Sequence, residues 1–211
     1  MATLTVYYDY TCGYSYKAMH WLDLVRSARP ELEIRWATFS LKEVNRPPEE
    51  PSYLTGESPP SVSVFAQALA HAARDADFDR YHRGVFEAMQ GEGRHLEEAD
   101  LLSFAADAGV DVGRFDRSLG ITAVGAEHRE AVARWGIYGT PTLIVDGAAA
   151  FVRLKEVPGT PKDASALLDA LHGIASSSAD LAEIFRPEGP KPTPIQIGQS
   201  GQDAEADRAL E

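Results

Sequence analysis

The stretch Leu4-Thr5-Val6-Tyr7-Tyr8-Asp9-Tyr10-Thr11-Cys12-Gly13-Tyr14-Ser15-Tyr16 decides how this chain is read. Thr3 to Asp9 is rich in β-branched and aromatic residues and predicts a short buried strand. Cys12 to about Ala28 predicts a helix. Met19, Leu22 and Val25 recur at three-residue spacing, with Ala18 and Trp21 beside them, and Pro30 ends the pattern. Cys12, the only cysteine, stands at the junction. A thiol at a helix N-terminus feels the positive end of the helix dipole and the unpaired backbone N–H groups. Both favour the thiolate, which is the nucleophilic form. The competing reading makes a lone cysteine a small buried apolar residue, the commoner use of one. Its place between a strand and a helix weighs against that reading.

Composition narrows the field around this junction. The chain has 211 residues, enough for one domain carrying an insertion or for two small domains. Its 20 basic and 32 acidic side chains leave a net charge of −12, which argues against general binding to nucleic acid or an anionic membrane. One cysteine excludes an internal disulfide and a cysteine-based zinc site. The N-terminus has no basic leader region, and no apolar run approaches the ~18 residues of a membrane span. The expectation is a soluble cytoplasmic protein that binds neither nucleic acid nor membrane and holds no metal. A reduced thiol is ordinary in that compartment.

Downstream, Glu33 to Leu41 predicts a second strand, and the β–α–β order predicts that it runs parallel to the first. Asn45 to Pro60 holds five prolines and reads as a long loop, of the kind that covers a site or joins domains. Helical patterns follow. One carries Val62, Phe65, Leu69 and Ala72; a second carries Phe78, Tyr81, Val85, Phe86 and Met89, broken by Gly91-Glu92-Gly93. A third covers Glu97 to Ala108, Asp111 to Phe115 starts a short segment, and Ile121 to Trp135 makes one more helix before Gly136. Strand character returns at Thr140 to Val145. Asp146-Gly147 is a strong turn pair, and Ala149 to Leu154 supplies the second arm of a hairpin. Pro161 opens a last core helix with Ala166, Leu167, Leu168 and Leu171, and Ser176 to Phe185 extends or follows it. From Pro187 the chain is polar and rich in Pro, Gly and Gln, which predicts disorder.

Three features together resemble the thioredoxin-fold superfamily in its DsbA-like branch. They are the strand leading through Tyr8-Asp9-Tyr10 to Cys12-Gly13-Tyr14-Ser15, the Gly139-Thr140-Pro141-Thr142 turn opening a late strand, and the helical insertion between them. The resemblance spans roughly residues 3–175. It implies an α/β, thioredoxin-like fold with an inserted all-helical domain. Residues 1–41 and 121–185 would form the discontinuous thioredoxin-like domain, 42–120 the helical insertion and 186–211 a disordered tail. It implies Cys12 and Ser15 as catalytic residues, and Tyr10, Gly13, Tyr14, Thr140 and Pro141 as substrate-binding ones. In the family the proline has a cis peptide bond and packs opposite the cysteine. The Thr140 backbone would then face an extended thiol-bearing substrate, which pairs like an added strand. Taken by itself, Pro141 also suits a trans proline at an edge strand.

Ser15 departs from the family pattern, which usually has a second cysteine there. A serine cannot resolve a mixed disulfide, so the two-cysteine cycle is not available internally. Three functions stay open. Cys12 forms a mixed disulfide that an external thiol resolves. Or the protein is a glutathione-dependent isomerase or transferase, like the kappa-class glutathione transferases and 2-hydroxychromene-2-carboxylate isomerases. In these a serine near this helix start hydrogen-bonds the cofactor thiolate. Or the fold is kept only for binding. The implied partner is a thiol or disulfide, on a small molecule or a protein. No cofactor is expected to be tightly bound, and glutathione or another small thiol is the candidate. Arg35 and Arg153 are candidates for its carboxylates. Tyr16 borders the site with Tyr10 and Tyr14. The histidines show no metal-binding spacing and read as structural or surface residues.

Overall fold

Alternation along the first strand sets the layers of the molecule. The computed structural model describes residues 3–55, 61–145 and 147–177. Strand β1 (Thr3–Tyr8) leads to helix α1 (Gly13–Ala28) and strand β2 (Glu33–Thr38). Strand β3 (Thr142–Val145) and strand β4 (Ala148–Phe151) form the late hairpin, and helix α7 (Pro161–Ser177) follows. The sheet order is β2-β1-β3-β4. β1 and β2 are parallel, as the β–α–β order requires, and pair from Thr3 with Glu33 to Tyr8 with Thr38. β3 runs antiparallel to β1 and β4 antiparallel to β3.

Because successive strand side chains point to opposite faces, Leu4, Val6 and Tyr8 share one core with Met19, Trp21, Leu22 and Val25 of α1 and with Ala164 and Leu168 of α7. Trp21 is wholly buried there and its indole Nε1–H donates to the Ala164 carbonyl at 2.9 Å. Tyr7, Ala37, Phe39 and Ile144 belong to a second cluster with Ala131 and Ile137. The expected tail from Pro187, the end of the expected domain near residue 185 and the turn residue Asp146 lie outside the described residues.

Between β2 and β3 lie helices α2 (Leu41–Val44), α3 (Val62–Ala73), α4 (Phe78–Phe86), α5 (Glu98–Asp107) and α6 (Arg117–Trp135). They differ from the sequence expectation in local ways. α2 is an added turn of helix where strand and loop character met, capped by the Ser40 hydroxyl, which accepts from Glu43 N–H at 3.1 Å. α4 runs on into a wider π-type turn at Glu87–Gly91, closed by Glu92 N–H donating to the Glu87 carbonyl at 2.8 Å. Asp111 to Phe115 makes turns rather than a helix. α6 starts four residues before Ile121, because Asp116 Oδ1 accepts from the N–H groups of Ser118 and Leu119 at 2.9 and 3.1 Å. It ends at Gly136, whose φ of 63° lies in the left-handed region that glycine adopts without steric cost. A Cβ on Gly120 would lie 2.9 Å from the Ala68 Cβ, so α3 and α6 approach closely only because this position is glycine. Among the described residues no helix is long and apolar enough to cross a membrane.

One buried charge ties α6 and α3 to β2. Glu127 Oε2 accepts from Thr38 N–H at 2.6 Å and from the Thr38 hydroxyl at 2.8 Å. Arg74 donates to its two oxygens at 2.9 and 3.2 Å and to the Trp36 carbonyl at 2.8 Å. His71 Nε2 is 3.3 Å away and Arg35 3.6 Å. Burial raises the carboxyl's pKa, but the bonds and charges of His71 and Arg74 outweigh it and hold the group well below the usual carboxylate range. With the folded value below the unfolded one, near 4.5, this stabilisation is complete above that pH and is lost as the pH falls below it. Glu127→Gln should therefore cost about 3 kcal/mol at neutral pH. It should also flatten part of the acid limb of the stability curve below about pH 4.5. Urea unfolding of both proteins at a series of pH values measures this; an unchanged acid limb would deny Glu127 the role.

Candidate active site

The loop between β1 and α1 places Cys12 at the helix N-cap, with extended backbone at φ −96° and ψ 111°. Its own N–H donates to the Asp9 carbonyl at 3.0 Å, and its carbonyl accepts the first α1 bond, from Tyr16 N–H, at 3.1 Å. The half-buried thiol is the single cysteine side chain and donates to the Thr140 carbonyl at 3.2 Å. Thr140 and Pro141 are buried, and the peptide bond between them is cis. The turn is braced on both sides. Val152 N–H donates to the Pro141 carbonyl at 3.0 Å, and the Thr142 hydroxyl to the Gly139 carbonyl at 2.8 Å. Two residues 128 positions apart in sequence therefore meet through one sulfur and one carbonyl.

Asp9 organises the loop. It is fully buried. Its Oδ1 accepts from Thr11 N–H at 2.8 Å, from the Thr11 hydroxyl at 2.8 Å and from the Ser63 hydroxyl at 2.6 Å. Its Oδ2 accepts from Leu41 N–H at 2.8 Å. One carboxylate thus joins the exit of β1, the start of α2 and the first turn of α3. Two glutamines extend the framework. Gln67 Nε2 donates to the carbonyls of Tyr8 and Phe39 at 3.4 and 3.0 Å. Gln90, in the π-type turn, donates to the Tyr10 carbonyl at 2.8 Å. Sequence reasoning noticed Asp9 only as part of a motif and missed Ser63, Gln67 and Gln90. Nothing in the sequence marks a polar residue on an otherwise apolar helix face as the partner of a distant backbone.

The sequence candidates fare differently. Cys12, Thr140 and Pro141 come together, and Gly13 opens α1 beside them. Tyr14 is exposed at 41% on the same helix start. Contrary to the sequence expectation, Tyr10 does not line the cleft. Its side chain is fully buried, and its hydroxyl lies 3.1 Å from His82 Nδ1 and accepts from the Tyr8 hydroxyl at 3.4 Å. Tyr10 and Thr11 turn the chain between β1 and Cys12, and the Tyr10 ring packs into the core cluster with Tyr8 and Phe86. Burial pushes the Tyr10 hydroxyl well up and His82 well down, so both stay neutral. Ser15 is also fully buried; its hydroxyl has no hydrogen-bond partner among the described residues, and no bond joins it to Cys12. The Tyr16 hydroxyl donates to Glu87 at 2.7 Å, and that bond pushes it up to about 12. Arg35, on β2, is engaged with Glu127 of α6. Arg153 stands close to Tyr14, its Cζ 5.7 Å from the ring centre.

A cavity of ≈ 560 Å³ opens beside Thr11, lined by Lys42, Arg46, Tyr53, Ser61 and Ser63 among others. Its lining carries both cations and hydroxyls. Arg46 is already bonded to Glu43 and to the carbonyls of Pro47 and Glu50, which leaves Lys42, set over the Tyr53 ring at 5.3 Å. No group of three or more His, Cys, Asp or Glu among the described residues could hold a metal ion.

Comparison with known proteins accords with this geometry. The family model of the DSBA-like thioredoxin domain matches residues 3–162, and the chain belongs to that family. A probable DsbA oxidoreductase from Streptomyces coelicolor superposes with a TM-score of 0.59 at 15% identity, over 92% of this chain and 97% of that one. A thioredoxin-like oxidoreductase from Silicibacter pomeroyi gives 0.55 at 21% identity, over 84% and 88%. A 2-hydroxychromene-2-carboxylate isomerase gives 0.56 at 16% identity, over 82% and 95%. At these identities the likeness establishes the fold. No curated protein matches the sequence.

Asp9→Asn tests the framework. An amide offers one acceptor oxygen where four donors converge, so a buried donor is left facing an N–H group. The variant should lose about 2 kcal/mol, and Ser63→Ala about 1 kcal/mol. Chemical denaturation measures both; losses within error of zero would show that the site does not depend on this carboxylate.

Proposed function

We propose that this protein is a thiol–disulfide oxidoreductase in which Cys12 acts as the single nucleophilic thiol. The observation that carries this reading is the 3.2 Å contact of Cys12 Sγ, at the N-terminus of α1, with the carbonyl of the buried Thr140. The Cys12 thiolate attacks one sulfur of a substrate disulfide. The substrate S–S bond breaks, a Cys12 mixed disulfide forms, and the leaving sulfur departs as a thiolate that takes up a proton. Loss of the Cys12 proton also removes the donor from the Thr140 carbonyl. That oxygen is then free to accept from a backbone N–H of an extended substrate, as in strand addition.

Ser15 stands where an internal resolving thiol would be needed, so the cycle pauses at the mixed disulfide. An external thiol attacks it, forms a new disulfide with the substrate half and returns Cys12 to the thiol. Glutathione or another small thiol suits this step, bound only in passing. A compartment that keeps such thiols reduced, the cytoplasm, suits the cycle.

A second reading, a glutathione-dependent isomerase or transferase, is favoured by the ≈ 560 Å³ cavity lined by Thr11, the residue before Cys12, which has room for a small thiol. Its signature is turnover that needs added thiol and leaves the redox state of that thiol unchanged.

Cys12→Ala is expected to abolish reduction of a small disulfide by added thiol while keeping the circular dichroism spectrum and unfolding midpoint. Retained turnover would overturn the role of Cys12. Ser15→Cys should lower the amount of mixed disulfide seen by intact-mass measurement, because a resolving thiol then sits three residues away. An undiminished adduct would show that Ser15 is not at the resolving position.

A further inference from the structure

Among the described residues, one cation near the start of α1 has no carboxylate partner, in a chain that is strongly acidic. Arg153 follows β4, one residue past Val152, whose N–H is bonded to the Pro141 carbonyl. Its guanidinium Cζ lies 4.9 Å from the Phe151 ring centre and 5.7 Å from the ring centre of Tyr14, two residues from Cys12. Arg153 is thus tied to the cleft from the proline side and from the cysteine side at once. Phe151 in turn packs against Tyr138 with ring centres 5.3 Å apart, and Tyr138 is exposed at 69%. Lys17 adds a second positive charge, its Nζ 5.9 Å from the Tyr14 ring centre and donating to the Lys155 carbonyl.

Several arginines elsewhere in this protein hold carboxylates, among them Arg74 with Glu127, Arg83 with Asp23 and Arg117 with Glu98. Among the described residues Arg153 makes no ion pair and none of its N–H groups has a hydrogen-bond acceptor; its contacts are with aromatic rings. A guanidinium held over ring faces keeps its in-plane donors free, in the fork geometry that fits a carboxylate. Ring contacts also limit its rotamer freedom before any ligand arrives, which lowers the cost of binding one. In a chain of net charge −12, such a cation over Tyr14, two residues from Cys12, creates a local field opposite to that of the whole.

We propose that Arg153, held by Tyr14 and Phe151, selects disulfides that carry a carboxylate close to the reacting sulfur. This rests on the thiol-exchange reading of Cys12 and adds the chemistry of the substrate. The carboxylate accepts from the free edge of the guanidinium while the sulfur meets Cys12, and the exposed faces of Tyr14 and Tyr138 take the apolar part beside it. The same chemistry is offered by a small carboxylated thiol and by an acidic residue next to a cysteine in a peptide.

The single cysteine makes the test direct. Two aromatic disulfides are reacted with the reduced protein, the dianionic 5,5′-dithiobis(2-nitrobenzoate) and the neutral 4,4′-dithiodipyridine, and the released chromophore is followed. Arg153→Gln should slow the anionic reagent about fivefold, the scale of one lost charge contact at a partly exposed site. It should leave the neutral reagent within about twofold, which also reports that the fold and the thiol are intact. In the unaltered protein, raising the salt to about 1 M should shrink the preference for the anionic reagent, since the Debye length falls to about 3 Å. Equal slowing of both reagents, or of neither, would overturn the selection by Arg153. If neither reagent reacts with the unaltered protein until it unfolds, the thiol-exchange reading fails and this inference falls with it. Where the selection holds, the same pair of proteins is compared on oxidised glutathione and on a peptide disulfide with aspartate beside its cysteine. The larger loss identifies the small or the peptide source.

Discussion

The buried carboxylate of Asp9 is the constraint on which the site depends. Four donors from three separate segments converge on it: Thr11 through backbone and side chain, Leu41 through backbone, Ser63 through its hydroxyl. Removing a charged group from water is costly unless its oxygens are satisfied, and here both are. The arrangement is therefore cooperative. The strand exit, the start of α2 and the first turn of α3 take these positions together, and Cys12 is three residues from the carboxylate. The half-buried thiol is held by backbone geometry that the side chain of another residue dictates.

A second buried carboxylate, Glu127, joins α6 and the end of α3 to β2. Asp9 is surrounded by neutral donors, whereas Glu127 meets two arginines and a histidine as well as Thr38. The first shapes a loop; the second clamps two helices to a strand edge. Between them lies the aromatic cluster of Tyr8, Tyr10, Trp36, His82 and Phe86, whose rings meet at 4.6 to 5.9 Å. The hydroxyls of Tyr8 and Tyr10 and His82 Nδ1 are paired with one another, and the cluster contributes packing. Outside it, the Cys12 thiol is bonded to the Thr140 carbonyl and Arg153 stands over the Tyr14 ring.

The elements that were easiest to read share one property: their signal is local. The β1–α1 junction, the parallel pairing of β2, the hairpin and the helices α3 to α6 follow from period and punctuation. The departures come where a cap or a turn overrides the period. Asp116 starts α6 early, the π-type turn after Phe86 widens α4 and brings Gln90 to the Tyr10 carbonyl, and Ser40 caps an unforeseen helical turn. Tyr10 was misplaced because a residue two before the cysteine looks near in sequence, while the backbone turn between them sends its ring into the core.

The sequence by itself determined the element order, the place of the only thiol at a helix start, the Thr140-Pro141 turn and the absence of a second cysteine at Ser15. Those are properties of single residues and of short spacings, where propensity and periodicity suffice. Only the tertiary structure decided which distant groups meet: Cys12 with the Thr140 carbonyl, Asp9 with Ser63 and Leu41, Arg153 with Tyr14. Those contacts depend on how helices cross the sheet and on where loops close. No local pattern encodes them, because a polar side chain carries no mark of the partner that folding will bring to it.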